Sequence, residues 1–146
     1  MYKHILIPVD GSPVSNKAAK AGIALAKSLG AKITAYTAIE PMQPIYAEGY
    51  AFDEKLLDAI ESSARNAAKK RVDAVTKIAL AARVPCTTLV THGDTTYEGI
   101  IHAAKKQKCD LIFMASHGRS GLAKLVMGSV TQKVLTHTHL PVVVYR

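Results

Sequence analysis

The sequence predicts an open, doubly wound sheet of five parallel strands with helices on both faces. Short runs of aliphatic and β-branched residues alternate with longer segments whose apolar residues recur every three or four positions. Each helical segment is long enough to return the chain to the same end of the sheet, so successive strands run parallel. The run at residues 110–115 is apolar almost throughout, which is typical of a strand buried on both faces.

The first strand is predicted at residues 3–9 and leads into a helix. Ser12 can cap this helix through its side-chain oxygen, and Pro13 suits its first turn. Gly30 offers a left-handed end to the helix. Apolar residues at three- and four-residue spacing predict the face that packs on the sheet: Val14, Ala18, Ala21, Leu25 and Leu29.

The second strand is predicted at residues 32–39, which are rich in β-branched residues and tyrosine. Residues 40–51 contain two prolines and a glycine without a sustained period, so we expect a loop. A long helix follows from about Asp53 to Ala82. Its buried side is predicted from the apolar positions Leu56, Leu57, Ile60, Ala64, Ala67, Ala68, Val72, Val75 and Leu80.

The rest of the chain repeats the alternation of strand and helix. A turn at residues 92–94, His-Gly-Asp, separates the third strand from the helix after it. The predicted elements are, in order, a strand at 86–91, a helix from about Thr96 to Lys106, a strand at 110–115, a helix at 129–136 and a strand at 141–145.

Composition predicts one globular domain, residues 1–146. A chain of 146 residues with 49% hydrophobic and 21% charged residues can bury a substantial core. It has no signal-like leader and no apolar run of about 18 residues, so we expect a soluble, cytoplasmic protein outside the membrane. Two cysteines, Cys86 and Cys109, are too few for a disulfide framework and are expected to be buried thiols.

The chain is basic, with a formal net charge of +8. Its densest cluster, Lys69, Lys70 and Arg71, lies in the long predicted helix, and we interpret it as a solvated helix face. Attraction to nucleic acid or to an anionic ligand is the alternative. Tryptophan is absent and aromatic residues make up 5%, which disfavours a surface that stacks on nucleic-acid bases.

The fold class predicts where a ligand would bind. In open parallel sheets, ligands lie beyond the carboxyl ends of the strands, where the strand order reverses. The end of the first strand (Pro8, Val9 and Asp10), the end of the second near Ala38, and residues 115–132 should therefore converge. Asp10 has two interpretations from the residues alone, as a ligand-binding carboxylate or as a cap for the first helix.

Residues 115–132 join the fourth strand to the last helix and read ASHGRSGLAKLVMGSVTQ. A glycine-rich loop that ends at a helix N-terminus presents bare N–H groups and partial positive charge, which suits phosphate. Gly118 and Gly128 permit close approach, and Ser129 and Thr131 add hydroxyl donors. Basic residues of the same segment, Arg119 and Lys124, can add charge. The alternative is a tight turn and cap without a ligand.

The whole sequence resembles the universal stress protein family. The resemblance rests on the opening YKHILIPVDGS, the pair Gly93-Asp94, the runs DLIFMASHGRSG and GSVTQKVL, and the terminal PVVV. Nucleotide-binding members share the motif Gly-x2-Gly-x9-Gly-Ser/Thr after the fourth strand. Gly118, Gly128 and Ser129 match its last three positions, whereas Ala115 stands at the first, and we expect this small replacement to be tolerated.

The resemblance implies a Rossmann-like fold of the adenine nucleotide alpha hydrolase-like type, with ATP bound alone or with Mg²⁺ or Mn²⁺ on its phosphates. Asp10 would hold the ribose, and backbone at Val9 and Ala38 would meet adenine. The implied nucleotide site consists of Pro8, Val9, Asp10, Ala38, Met114, Ala115, His117, Gly118, Arg119, Gly128, Ser129, Val130 and Thr131. The resemblance also implies a homodimer that forms through the last strand.

No catalytic residue and no metal ligand is predicted. The chain lacks GxxxxGK[ST], so rapid ATP hydrolysis is not expected. Ser116 and His117 do not form a hydrolase elbow, because neighbours on an extended chain point in opposite directions. His137 and His139 are interpreted as surface residues. We therefore predict a nucleotide-dependent stress-response switch with an unknown protein partner; the alternatives are a weak ATPase and an adaptor without nucleotide.

Overall fold

A computed structural model of the protein describes residues 1–41, 53–118 and 127–146. Nearly all of the predicted loop at 40–51 therefore lies outside the described residues. The described elements are β1 (His4–Pro8), α1 (Pro13–Leu29), β2 (Lys32–Ile39), α2 (Glu54–Ala81), β3 (Cys86–His92), α3 (Thr96–Lys106), β4 (Leu111–Ala115), α4 (Ser129–His137) and β5 (Val142–Tyr145).

The five strands form one parallel sheet in the order β3-β2-β1-β4-β5. From β1 the chain adds β2 and β3 on one side. It then crosses back and adds β4 and β5 on the other side. The strand order thus reverses between β1 and β4, which confirms the predicted doubly wound sheet and fixes its switch point.

Helices cover both faces of the sheet, as predicted. On one face, α1 and α2 pack against the cluster that contains Ile5, Ile7 and Phe113. On the other, α3 and α4 pack against the cluster that contains Leu6 and Ile112. All residues of β4 are buried, and alternate ones belong to opposite clusters. The continuous apolar run therefore results from burial on both faces.

The ends of α1 are as predicted, but its buried face is displaced from the predicted stripe. The hydroxyl of Ser12 accepts a hydrogen bond from the Ser15 N–H at 3.2 Å, and Gly30 is left-handed with φ 63°. The most buried positions are mainly small residues: Ser15, Ala18, Ala19, Gly22, Ile23 and Ala26. A β-carbon on Gly22 would lie 2.9 Å from the Ile7 Cδ1 atom. Close contact with the sheet therefore selects small residues, and the larger leucines lie at the margin.

The first half of α2 is more exposed than its apolar spacing predicts. In this half, the predicted positions Leu56, Leu57 and Ile60 are 51%, 36% and 39% exposed, and Leu80 at the C-terminal end of the helix is 76% exposed. The buried residues are Ala68, Val72, Val75 and Ala79, so the helix contacts the sheet through its second half. Within the described ranges, no helix is both long and apolar enough to cross a membrane.

Candidate functional site

A cavity of about 740 Å³ lies beyond the carboxyl ends of β1, β2 and β4. This size is within the range of roughly 300–1,000 Å³ that is common for small-molecule sites. The cavity lies at the switch point of the sheet, and the three segments predicted to converge all contribute to its wall. Residues that are far apart in sequence are therefore brought to one place by the strand order.

All but one of the predicted site residues line this cavity. Arg119 is the exception, because it lies outside the described residues, as does Lys124. The predicted residues found in the wall are Pro8, Val9, Asp10, Ala38, Met114, Ala115, His117, Gly118, Gly128, Ser129, Val130 and Thr131. Their convergence is a property of the fold, whereas their contact with a nucleotide stays a prediction.

Asp10 connects the β1–α1 loop with the glycine-rich segment. Its Oδ1 atom accepts a hydrogen bond from the Ser12 N–H at 2.9 Å, and its own N–H donates to the Ser15 hydroxyl at 3.2 Å. The N-cap of α1 is Ser12, so Asp10 is not the cap itself but holds the capping residue in place through this hydrogen bond. A β-carbon on Gly118 would lie 2.6 Å from the Asp10 Oδ2 atom. Glycine at position 118 thus allows this carboxylate to lie against the segment that follows β4.

The N-terminus of α4 opens onto the cavity without a side-chain cap. Gly128 is the N-cap residue, and its N–H donates to the Ser116 carbonyl at 2.8 Å. Among the described residues, no side chain accepts a hydrogen bond from the first-turn N–H groups of Ser129, Val130 and Thr131. Uncapped N–H groups and the positive end of the helix dipole favour an anion at this point.

The hydroxyl of Thr131 is not the phosphate donor that the sequence predicts. Thr131 is buried, and its Oγ1 atom donates to the Ala115 carbonyl at 3.0 Å. The hydroxyl group is therefore used in a hydrogen bond between α4 and β4. The backbone N–H of Thr131 is the donor that this residue can still offer to a ligand. Ser129 is exposed, so its hydroxyl is still accessible.

Ala115 occupies the first motif position without strain. It is the last residue of β4, pairs with Tyr145 of β5, and is not among the described non-glycine residues with positive φ. Its methyl group belongs to the core cluster under α1 and α2. This position therefore requires no glycine-only backbone conformation in the present fold.

Ser116 and His117 are closer together than predicted. The chain bends after β4, and the Ser116 Oγ atom lies 2.9 Å from the His117 Nδ1 atom. The prediction that they point in opposite directions is wrong, since it assumed an extended chain. His117 lines the cavity, but Ser116 is buried and does not. The pair therefore presents no serine nucleophile to a ligand.

The β2 end of the cavity contains polar groups that the sequence did not single out. Glu40 directly follows β2, and the Thr96 hydroxyl at the start of α3 donates to its carboxylate. The Val9 N–H donates to the Tyr36 carbonyl at 2.8 Å, so Val9 offers a ligand only its carbonyl. Glu40 could have been found by the reasoning that identified Ala38, because both lie at the carboxyl end of one strand.

Arg71 was predicted to lie on a solvated helix face, and this prediction is wrong. Lys69 and Lys70 are exposed, whereas Arg71 is half-buried and lines the cavity. It lies three residues after Ala68 and four before Val75, both of which are buried. That helical spacing is the signal that could have separated Arg71 from its lysine neighbours.

The two cysteines and His137 are not part of the cavity wall. Both cysteines are free; burial raises the pKa of Cys109 to about 11, and burial also raises the pKa of the half-buried Cys86. In the part of the chain that the structure describes, no three His, Cys, Asp or Glu side chains are placed to hold a metal. His137 is exposed, and its Nδ1 atom lies 2.8 Å from the Lys133 carbonyl.

Proteins of known structure share this fold. Hypothetical protein MJ0577 of Methanocaldococcus jannaschii is 26% identical, with a TM-score of 0.77 over 99% of this chain and 95% of its own. A universal stress protein solved in complex with cAMP is 23% identical, with a TM-score of 0.72 over 99% of this chain and 97% of its own. The second likeness shows the fold alone.

Sequence comparison identifies the family. Universal stress protein MJ0531 of Methanocaldococcus jannaschii is 35% identical over 148 residues, which cover 100% of this chain and 83% of that protein. The model of the universal stress protein family matches residues 1–146. Together with the doubly wound sheet and the glycine-rich segment after β4, this match shows that the chain belongs to the universal stress protein family.

Proposed function

We propose that the protein binds ATP in the cavity at the switch point and acts as a nucleotide-dependent switch in the response to stress. The observation that carries the proposal is the uncapped first turn of α4, which faces a cavity of about 740 Å³. A universal stress protein with the same fold has been solved in complex with cAMP, which supports the proposal that this chain binds a nucleotide.

The charges in the cavity indicate how ATP would lie. The phosphates belong at the N-terminus of α4, on the β4 side, because the N–H groups and the helix dipole favour negative charge there. The ribose belongs in the middle, where Asp10 can accept hydrogen bonds from its hydroxyl groups. The base belongs at the β2 end, beside Ala38. Neighbouring strands are about 4.8 Å apart, so three strand ends span roughly the length of a nucleoside and its first phosphates.

The phosphate end needs close approach to backbone, and the two motif glycines permit it. A β-carbon on Gly128 would lie 3.0 Å from the His117 Cα atom, and one on Gly118 would press on Asp10. The proposed donors are the N–H groups of Ser129, Val130 and Thr131. The described residues supply no cluster of metal ligands, so we propose that a Mg²⁺ or Mn²⁺ ion would be carried on the phosphates.

We further propose that bound ATP changes the state of the protein and is hydrolysed slowly or not at all. The sequence lacks the P-loop lysine and hydroxyl that rapid hydrolysis uses. Among the described residues, His117 and the N–H groups of α4 line the proposed phosphate position. These groups can bind phosphate, but neither supplies a nucleophile that could attack it. We place the protein in the cytoplasm, with a partner protein that reads its nucleotide state.

The experiment that tests ATP binding has two parts. Nucleotide released by heat from the purified protein is identified by chromatography, and ATP and GTP are titrated into nucleotide-free protein by calorimetry. We expect ATP to bind at micromolar concentrations and more tightly than GTP. No heat with millimolar ATP would instead support the adaptor that works without nucleotide.

The weak ATPase is separated from the switch by its steady-state rate. We expect turnover far below the roughly 1 to 100 s⁻¹ of kinases. A rate within that range that is lost in the Asp10→Ala variant would support the enzyme.

A further inference from the structure

Arg71 holds a defined position in the cavity wall. Its side chain extends from the second half of α2 to Gly11 in the β1–α1 loop. A β-carbon on Gly11 would lie 3.4, 3.5 and 3.6 Å from its Cγ, Nε and Cδ atoms. The aliphatic stem and the start of the guanidinium group therefore rest on the loop residue next to Asp10. The two preceding lysines, Lys69 and Lys70, differ from Arg71 in that both are exposed and neither lines the cavity.

Arg71 offsets negative charge in the wall of the cavity. Among the described lining residues, the acidic side chains are Asp10 and Glu40, and Arg71 is the one lysine or arginine. Two carboxylates oppose the entry of a polyanion, whereas a guanidinium group favours it. Arginine is also suited to phosphate by its planar fork of five N–H donors, which can bind two oxygens at once.

We propose that Arg71 is a cationic contact for the phosphate groups of the bound ligand. Arg71 and Gly118 both lie close to Asp10: Arg71 contacts Gly11, the residue that follows Asp10, and Gly118 lies against the Asp10 Oδ2 atom. Gly118 in turn begins the segment that leads to the α4 N-terminus. A phosphate chain that passes Gly118 is therefore within reach of a guanidinium group held at Gly11. The inference rests on the proposed function and adds to it a contact from α2.

The test compares Arg71→Met with wild-type protein in calorimetric titrations with ATP and with adenosine. Methionine keeps an unbranched apolar stem on Gly11 and removes the charge. We expect ATP to bind about tenfold more weakly, because a charge-assisted hydrogen bond is lost. Adenosine should bind as it does to wild-type protein. The difference between the two proteins should also shrink at high salt, where charge interactions are screened.

Two further variants make the result specific. Lys70→Met removes a positive charge from the adjacent, exposed position on the same helix and should bind ATP like wild-type protein. Arg71→Lys keeps the charge without the fork and should fall between wild type and Arg71→Met. The thermal unfolding midpoint of each unliganded protein shows that it is folded, and if Arg71→Met does not fold, Arg71→Lys carries the comparison.

The possible outcomes separate this inference from the proposed function. If Arg71→Met binds ATP as tightly as wild type does, Arg71 is not a phosphate contact, although ATP binding stands. If the variant loses affinity for ATP and adenosine equally, Arg71 acts by positioning Asp10, and the inference is overturned. If wild-type protein itself binds no ATP, the proposed function fails and the inference fails with it.

Discussion

Asp10 and Gly118 depend on each other at the centre of the candidate site. The Asp10 carboxylate is held by the Ser12 N–H at 2.9 Å, and a β-carbon on Gly118 would lie 2.6 Å from its other oxygen. We therefore expect Gly118→Ala to turn this carboxylate away from the proposed ribose position and to weaken the proposed binding of ATP about tenfold. Calorimetric titration with ATP measures the change.

A matched control for this variant is Gly30→Ala. Gly30 ends α1 far from the cavity, and a β-carbon there would have no atom within 4 Å. Because its φ is 63°, alanine should lower the stability of the protein by roughly 1 kcal/mol and leave ATP binding unchanged. Equal affinities for ATP in both variants would contradict the predicted role of Asp10.

His4 makes stability depend on pH through a different region of the fold. It is buried, and its Nε2 atom lies 2.8 Å from the Thr34 hydroxyl, which lies 2.9 Å from the Thr87 hydroxyl. Burial, and secondarily the nearby charge of Lys32, lower the pKa of His4 below 6.5, against the opposing effect of Asp110. Below about pH 6.5, His4 therefore takes up a proton more readily in the unfolded chain than in the folded chain.

We expect the free energy of unfolding to fall as the pH drops from about 7 towards 5, because protonation favours the unfolded state. His4→Gln should flatten this part of the profile, and His139→Gln, at an exposed position, is the control. Denaturant titrations at a series of pH values measure the slope. An unchanged slope in His4→Gln would exclude His4 as its source.

At the scale of elements, a buried hydrogen bond helps to fix the position of α4 on the sheet. The Thr131 hydroxyl donates to the Ala115 carbonyl at 3.0 Å and joins the first turn of α4 to the end of β4. Thr131→Val keeps the shape but leaves that carbonyl unsatisfied, so we expect a loss of about 1–3 kcal/mol in stability. Thr131→Ser keeps the hydroxyl and should lose less. Chemical denaturation of both variants gives the comparison.

The helices and strands were predictable because the spacing of apolar residues along the sequence reflects which side of each element is buried. The caps of α1, the turn at Gly93 and the buried run of β4 were all read correctly from short patterns. The apolar spacing of α2 was less informative, since spacing identifies a face and does not show how far the sheet extends beneath it. Leu56 is therefore exposed although it lies on the predicted face.

The residues of the candidate site were predictable where the topology alone places them. Strand ends at a switch point must meet, so Asp10 and Ala38 were found with the segment after β4. Arg71 was missed because it lies on a helix. Which side chains of a helix reach the cavity depends on the rotation of the helix about its axis, and the order of the strands does not determine that rotation. The role of the Thr131 hydroxyl depends on an acceptor 16 residues away in sequence, which local patterns do not reveal.

At the scale of the whole molecule, the strand order leaves two edges, β3 and β5. β3 carries three threonines and a terminal histidine, whereas β5 reads Val-Val-Val-Tyr without a charged or proline residue in its centre. An uncovered apolar edge invites pairing with another strand. A twofold contact between two copies of β5 satisfies both edges at once and is the simplest closed assembly.

We therefore predict a homodimer that forms through antiparallel pairing of β5 with its copy. Val143 is 37% exposed at this edge, and Val90 on β3 is 38% exposed at the other, so the two positions form a matched pair. Light scattering at micromolar concentration should give twice 15.6 kDa for wild-type protein and for Val90→Lys. Val143→Lys places a charge in the proposed contact and should shift the mass towards that of one chain. The opposite pattern would assign the interface to β3, and a wild-type monomer would show that neither edge pairs under these conditions.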